Sequence, residues 1–243
     1  MPEGLRLIVT RPEPEATRTA EWLSGAGHLP LLQPMLHIVF AAPPVVEGEP
    51  AALVATSRNG VRALAAWPFA ARWRGKPLFV TGEGTAAEAA LAGFTDIRAG
   101  SGDAVSLVAV ITGDMPPGSG TFLHAAGRDR TPALAEGLRG AGYNLHVVEA
   151  YRAEAVAALD PAVADALRSG RADGVVLFSR RTAAAFVDAV RAAGLELALA
   201  GLTGFAISAH AAEPLRPFTR HIRVAPHPDF NGMAAIIPKV SGV

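Results

Sequence analysis

Ala52-Leu-Val-Ala-Thr-Ser-Arg-Asn-Gly-Val-Arg-Ala-Leu64 decides how the rest of the chain is read. The short apolar run from Ala51 to Thr56 suits a strand buried on both faces. The turn Thr56-Ser57-Arg58-Asn59 follows, with hydroxyls where a helix needs a cap. A helix is then expected from about Asn59 to Ala66. The same strand, turn and helix recur in Gly174-Val-Val-Leu-Phe-Ser-Arg-Arg-Thr-Ala-Ala-Ala-Phe186, where Phe178-Ser179-Arg180 stands opposite Thr56-Ser57-Arg58. Outward from this pair the likeness continues. Leu5–Val39 resembles Thr121–Val156: strand, arginine-bearing turn, helix, Ala-Gly stop, second strand. Leu78–Ile111 resembles Gly204–Ile237. The offset drifts from 115 at Gly27/Gly142 through 122 at Ser57/Ser179 to 126 at Gly82/Ser208; a steady drift in one order reads as a duplication with small insertions, against chance likeness between alanine-rich helices.

The remaining elements keep the alternation. Leu5–Thr10, Leu29–Phe40, Leu78–Thr81, Thr121–Ala125, Val175–Phe178 and Phe205–Ile207 read as strands. Ala16, Ala20 and Leu23 mark one helix face, and Thr85–Leu91 a further helix. Thr131-Pro132 reads as an N-cap followed by proline at the first helical position. Strands alternating with helices predict parallel sheets covered on both faces, an α/β fold in two similar units. Composition alone would cut the chain once, near residue 116, in the Pro/Gly-rich loop Met115–Gly120.

With 243 residues, 50% hydrophobic and 18% charged, the chain has the material for a large core, and disorder is excluded. Lys+Arg and Asp+Glu are both 22, so a broad basic face for nucleic acid is not expected. There is no cysteine, which removes disulfides, thiolate metal sites and a thiol nucleophile. Leu197–Ala209 is too short and too broken by glycine to span a bilayer. Glu3 and an immediate strand-like run leave no sign of a signal peptide, so the expectation is a cytoplasmic protein. Lys76 and Lys239 are the only lysines, which leaves 20 arginines. Either a coding bias or recognition of several carboxylates, for which the guanidinium fork is suited, accounts for that imbalance.

In parallel α/β sheets ligands bind beyond the carboxyl ends of the strands. Here those ends read Thr10-Arg11-Pro12, Thr56-Ser57-Arg58-Asn59, Thr81-Gly82-Glu83-Gly84-Thr85, Ala126-Gly127-Arg128-Asp129-Arg130 and Ser179-Arg180-Arg181-Thr182. Hydroxyls, free N–H groups and arginines at helix starts suit anions, although each Ser or Thr also reads as an ordinary cap. Gly82–Ala87 has the form G-x-G-x-x-A of a dinucleotide turn, but no acid closes the next strand, which ends in Ala99-Gly100. The seven histidines show no metal spacing. His37, His146 and His221 read as structural, while His124 and His210 end strands and can face a cleft. Tyr151 closes a strand beside Arg152, either as an amphipathic edge residue or as a proton donor in a cleft.

Taken together, Val9-Thr10-Arg11-Pro12, Thr56-Ser57 with Asn59-Gly60-Val61, Val80-Thr81-Gly82 with Thr85-Ala86, Gly127-Arg128 with Ala141-Gly142, Val148–Arg152, Phe178-Ser179 and Ala206-Ile207 resemble the uroporphyrinogen-III synthase family. They run in family order over nearly the whole chain. The last unit departs: Ile207-Ser-Ala-His210 stands where the family has Ile-Gly and a threonine pair, so Ser208 or His210 would substitute there. The resemblance implies two flavodoxin-like parallel-sheet domains joined by two extended linkers. Residues 1–38 plus 154–243 would form one domain, 41–149 the other, and about 36–40 and 149–154 the linkers. It implies cyclisation of hydroxymethylbilane, a linear tetrapyrrole polycarboxylate, with ring D inverted and water lost, and it implies no cofactor and no metal. Tyr151 would be the catalytic acid, with Arg11, Ser57, Arg58, Thr85, Arg128, Ser179 and Ser208 binding substrate. The enzyme that forms the bilane is an expected partner. The rival readings are a two-domain anion-binding protein without catalysis and a nucleotide-dependent oxidoreductase built on Gly82–Ala87.

Overall fold

The computed structural model describes residues 4–240. In chain order its strands are β1 (Arg6–Val9), β2 (Leu29–Leu32), β3 (Leu36–Phe40), β4 (Ala52–Ala55), β5 (Pro77–Val80), β6 (Asp96–Ala99), β7 (Thr121–Gly127), β8 (Asn144–Ala155), β9 (Gly174–Leu177), β10 (Thr203–Ala206) and β11 (Ile222–Val224). The helices are α1 (Glu15–Gly25), α2 (Arg58–Ala66), α3 (Glu83–Leu91), α4 (Ala104–Asp114), α5 (Ala133–Gly140), α6 (Pro161–Arg168), α7 (Arg180–Ala192), α8 (Ala209–Ala212) and α9 (Phe230–Ile236). By internal contacts the chain falls into two units. One runs to His37 and resumes at Glu154; the other is Ile38–Ala153.

The first unit holds the sheet β2-β1-β9-β10-β11, parallel throughout. Counting this unit's strands alone, the order is 2-1-3-4-5, as in flavodoxin. The second unit holds β6-β5-β4-β7-β8, also parallel, with β3 beyond β8. The sequence repeat equates β7 with β1, β8 with β2, β4 with β9, β5 with β10 and β6 with β11. Under that mapping the two sheets have the same spatial order, and the chain simply enters the second at a different strand. Ala41 N–H donates to Ala150 O and Val156 N–H to Met35 O, so the stretches around β3 and β8 run antiparallel.

Period-two alternation explains both cores. In the first unit Ile8, Val175 and Leu177 pack on one face with Phe186 of α7. Leu7, Val9, Val176 and Phe205 pack on the other. In the second, Leu53, Ala55, Leu78, Val80 and Leu123 meet Val61 and Leu64 of α2. Ala52, Val54, Phe79 and Phe122 meet Leu107 of α4 and Leu138 of α5. Sheets buried on both faces read as apolar runs, which is why β4 and β9 carry no outward polar residue.

Three details differ from expectation. The single strand expected over Leu29–Phe40 is two strands in different sheets. Pro34, which has no N–H for a ladder, lies in the break between them. Helix α5 starts one residue late, with Pro132 at the cap position and no side-chain cap on it. His37, His146 and His221 are exposed and not packed inside: His37 and His146 fall on outward steps of β3 and β8, and His221 lies just before β11. Asp103 is the N-cap of α4, accepting from Ser106 N–H at 2.7 Å.

Candidate active site at the switch point of the second unit

In the sheet of the second unit the chain moves outward from β4 through β5 to β6, then returns to start β7 on the other side of β4. The crevice beyond the ends of β4 and β7 is therefore the topological switch point, the place where such folds bind ligands. A cleft of 350 Å³ opens there, lined by Thr56 and Ser57 after β4, Thr81 after β5, and His124, Gly127, Asp129 and Arg130 along and after β7, with Asp103 and Tyr151. Its volume is at the lower end of small-molecule pockets.

Ser57 has extended backbone and caps α2: its Oγ accepts the Gly60 N–H at 3.0 Å. The same hydroxyl lies 2.8 Å from the Tyr151 hydroxyl. Tyr151 reaches it because β8 bulges. Ala126 pairs with Glu149, but Gly127 pairs with Tyr151, so Ala150 is the extra residue. Leu145 and Val147 pack on the α4/α5 side of the sheet. Val148, Ala150 and Tyr151 all pack on the α2 side. Strict alternation would turn Tyr151 away from α2; the bulge turns it back towards Ser57. Two glycines complete the seat. A Cβ on Gly127 would lie 2.8 Å from both Cζ and the hydroxyl oxygen of Tyr151. A Cβ on Gly60 would lie 2.6 Å from Ala125 O, so only glycine lets α2 start this close to β7.

His124, buried in mid-β7, faces Thr56 Oγ1 through Nε2 at 3.5 Å, while its Nδ1 is buried without a partner. Burial first, and then the nearby Arg130 charge, lower its pKa to about 4, so the imidazole is neutral at neutral pH. Arg130 is held by the Gly127 carbonyl, accepting from Nη1 at 2.9 Å. Asp103 is kept below the usual carboxylate range chiefly by the Ser106 N–H.

The other expected residues fall in three places. Arg58 Nε donates to Gly84 O at 3.2 Å, and a Cβ on Gly84 would meet its guanidinium at 2.9 Å. The glycine-rich turn is thus packed by the chain's own arginine, which leaves the dinucleotide reading without support. Thr85 is buried in the first turn of α3 and does not line the cleft. Arg128 is exposed and paired with Glu149, Nε to Oε1 at 3.0 Å. The switch point of the first unit lies between β1 and β9. There Thr10 Oγ1 donates to Val176 O at 3.0 Å, and the Arg11 guanidinium stacks 4.1 Å above the Phe178 ring. Ser179 caps α7 and also lies 2.9 Å from Thr182 Oγ1. Ser208 caps the four-residue α8, and His210 is exposed and paired with Glu213. Gly127, Arg130 and Thr56 stand in turns the sequence singles out, but nothing local marks them above Arg128 or Arg58. Among the described residues no group of three or more His, Asp or Glu is arranged to hold a metal ion.

Comparison with known proteins agrees with this architecture. Uroporphyrinogen-III synthetase from Helicobacter pylori is similar at 15% identity and a TM-score of 0.63, over 95% of this chain and 97% of that one. A mutant uroporphyrinogen III synthase from the extremely thermophilic bacterium Thermus thermophilus is similar at 18% identity and a TM-score of 0.51, over 96% of both chains. At such identities these likenesses speak for the fold. Among curated proteins no relative matches. The family profile described as uroporphyrinogen-III synthase HemD matches residues 17–235, nearly the whole chain, and so this protein belongs to the uroporphyrinogen-III synthase family.

Proposed function

We propose that this chain acts as a cyclising hydro-lyase, closing hydroxymethylbilane to uroporphyrinogen III with ring D inverted. The observation that carries the mechanism is the Tyr151 hydroxyl, 2.8 Å from Ser57 in the cleft at the switch point. A phenol keeps its proton at neutral pH and gives it up to a leaving group in general acid catalysis. Tyr151 protonates the departing hydroxyl; the C–O bond breaks, water leaves, and the adjoining pyrrole becomes an azafulvene cation. The substituted carbon of ring D attacks it, the spiro intermediate fragments and recloses, and the proton released when the last pyrrole regains aromaticity returns to the phenolate. Only water is lost and no electrons are exchanged, so the balance calls for no redox cofactor.

Closure without inversion happens unaided in water, so the larger demand is conformational: hold the chain so that the substituted carbon meets the azafulvene. Substrate carboxylates are the proposed partners of Arg11, Ser179 and Ser208 in the first unit, and of Arg58 and Arg128 in the second. Among the described residues no helix is long and apolar enough to cross a membrane. In this reading the enzyme works in the cytoplasm and takes the labile bilane from the enzyme that forms it. The test is a product-isomer assay with hydroxymethylbilane, without added metal or nucleotide. Type III product is expected from the wild-type chain, and turnover reduced roughly 10²–10⁴-fold in Tyr151→Phe with binding little changed. Type I product alone, as in buffer, would sink the assignment; full activity of Tyr151→Phe would remove the acid.

A further inference from the structure

We infer that Ser57 is the positioning residue for Tyr151: it donates its own proton to the phenol oxygen and so leaves the Tyr151 proton directed at the leaving hydroxyl. The inference rests on the proposed acid role of Tyr151 and assigns Ser57 a part other than touching substrate.

Hydrogen-bond accounting carries it. A hydroxyl has one proton to donate and two lone pairs. Ser57 Oγ accepts the Gly60 N–H at 3.0 Å, and its other close oxygen is that of Tyr151 at 2.8 Å. If Tyr151 donated to Ser57, its proton would be spent inside the protein. With Ser57 donating, the chain runs Gly60 N–H to Ser57, Ser57 O–H to Tyr151, and Tyr151 O–H to the ligand. Every link points the same way, and each polarises the next. When the Tyr151 proton transfers to the departing oxygen, the phenolate left behind accepts a charge-assisted bond from Ser57, stronger than the neutral one it replaces. Ser57 loses no proton at any stage, so atoms and charge balance with Tyr151 alone as the acid. The bulge at Ala150 and the absence of a Cβ on Gly127 bring the phenol to this one hydroxyl.

The test uses Ser57→Ala, which removes the donor, and Ser57→Thr, which keeps a hydroxyl and remains a good helix cap. Turnover in Ser57→Ala should fall roughly 10- to 100-fold, the worth of one hydrogen bond to a developing charge, with KM little changed. Ser57→Thr should recover most of the loss. The chain has two tyrosines, so protein labelled with ¹³C at tyrosine Cζ gives two resonances, assigned with Tyr151→Phe. Ser57→Ala should move the Tyr151 resonance and leave Tyr143, which donates to Met115 O, as the internal control for an intact fold. An unmoved Tyr151 resonance overturns the inference. So does unchanged turnover in Ser57→Ala, or failure of Ser57→Thr to recover it. If the wild-type chain makes no type III isomer, the functional reading falls, and the resonance alone then judges whether Ser57 holds the phenol.

Discussion

Adding one methyl group at Gly127 should disable the site while leaving the fold standing. The Cβ of Gly127→Ala would lie 2.8 Å from Tyr151 Cζ and from its hydroxyl oxygen, and 3.2 Å from Cε2. Ordinary contact begins at 3.4 Å, so the ring must retreat by about 0.6 Å at its polar end. The ring is rigid, and its hydroxyl sits in a 2.8 Å bond to Ser57 whose useful range is only a few tenths of an ångström wide. A shift of that size takes the bond out of alignment. Overpacking of this kind costs about 1–3 kcal/mol of stability. Misplacing a reacting group by about 1 Å costs up to about 10²-fold in rate, so turnover should drop roughly 10- to 100-fold. The assay is a double-mutant cycle with Tyr151→Phe, read in kcat and in denaturant midpoints. Both changes act through one hydroxyl, so their effects on kcat should be far from additive, with Gly127→Ala nearly silent once Tyr151 is Phe. Gly113→Ala, where a new Cβ meets nothing within 4 Å, is the matched control and should keep full activity. Turnover within about twofold of wild type in folded Gly127→Ala, or losses that simply add, would refute the seat.

Arg11→Ala should weaken product binding, more at low salt than at high salt, because screening shrinks the charge part of the interaction. Equal binding at low salt, measured by titration calorimetry, would take Arg11 out of carboxylate binding and leave its stack on Phe178 a structural contact. His124 titrates at about 4 in the fold against 6.5 for the free side chain, so between those pH values the unfolded chain binds a proton that the folded unit refuses. Stability should fall by about 3 kcal/mol as pH drops through that window, and His124→Gln should lose this part of the slope; parallel curves for the two proteins would contradict the buried neutral imidazole. Gly84→Ala meets only the mobile end of Arg58, so activity should survive. Large loss of activity there would reopen a phosphate-binding role for the turn.

What could be read from residues alone was whatever local periodicity and self-similarity encode. Ser57 and Ser179 stood out because strand, cap and helix follow one another within a dozen residues, and both caps form with nearly the same backbone angles. The drifting repeat also carried the strand equivalences, since each repeated pair occupies the same station in its sheet. Tyr151 was singled out, but its direction was not legible. Along Asn144–Ala155 alternation puts Tyr151 with Leu145 and Val147, and only the extra residue opposite Ala126/Gly127 reverses it. That bulge belongs to the pairing of two strands, which no window on either strand contains. Gly127 was visible as a turn glycine, whereas its task is to stay out of the way of a ring 24 positions later. Arg128 and Arg130 are equal as letters; the first is paired with Glu149, and the second lines the cleft.

The two sheets are one arrangement used twice, so the difference between their switch points is informative. In each unit a serine after the equivalent strand caps the following helix, Ser57 for α2 and Ser179 for α7. The second partner differs. Ser57 meets Tyr151 from a neighbouring strand, whereas Ser179 meets Thr182 of its own helix. Both tyrosines of the chain, Tyr143 and Tyr151, lie in the second unit, so no phenol stands at the switch point of the first. Ser179 therefore has no phenol to receive its proton and turns inward to its own helix. The first unit instead stacks Arg11, a permanent cation, on Phe178 at its switch point. A guanidinium that does not titrate is suited to holding a carboxylate and unsuited to giving up a proton. A phenol backed by a donating serine has the opposite aptitude. On the proposed reaction the two sheets supply two equivalent crevices, and a tyrosine at the end of β8, with one extra residue to turn it, makes the second the site of chemistry and leaves the first to bind.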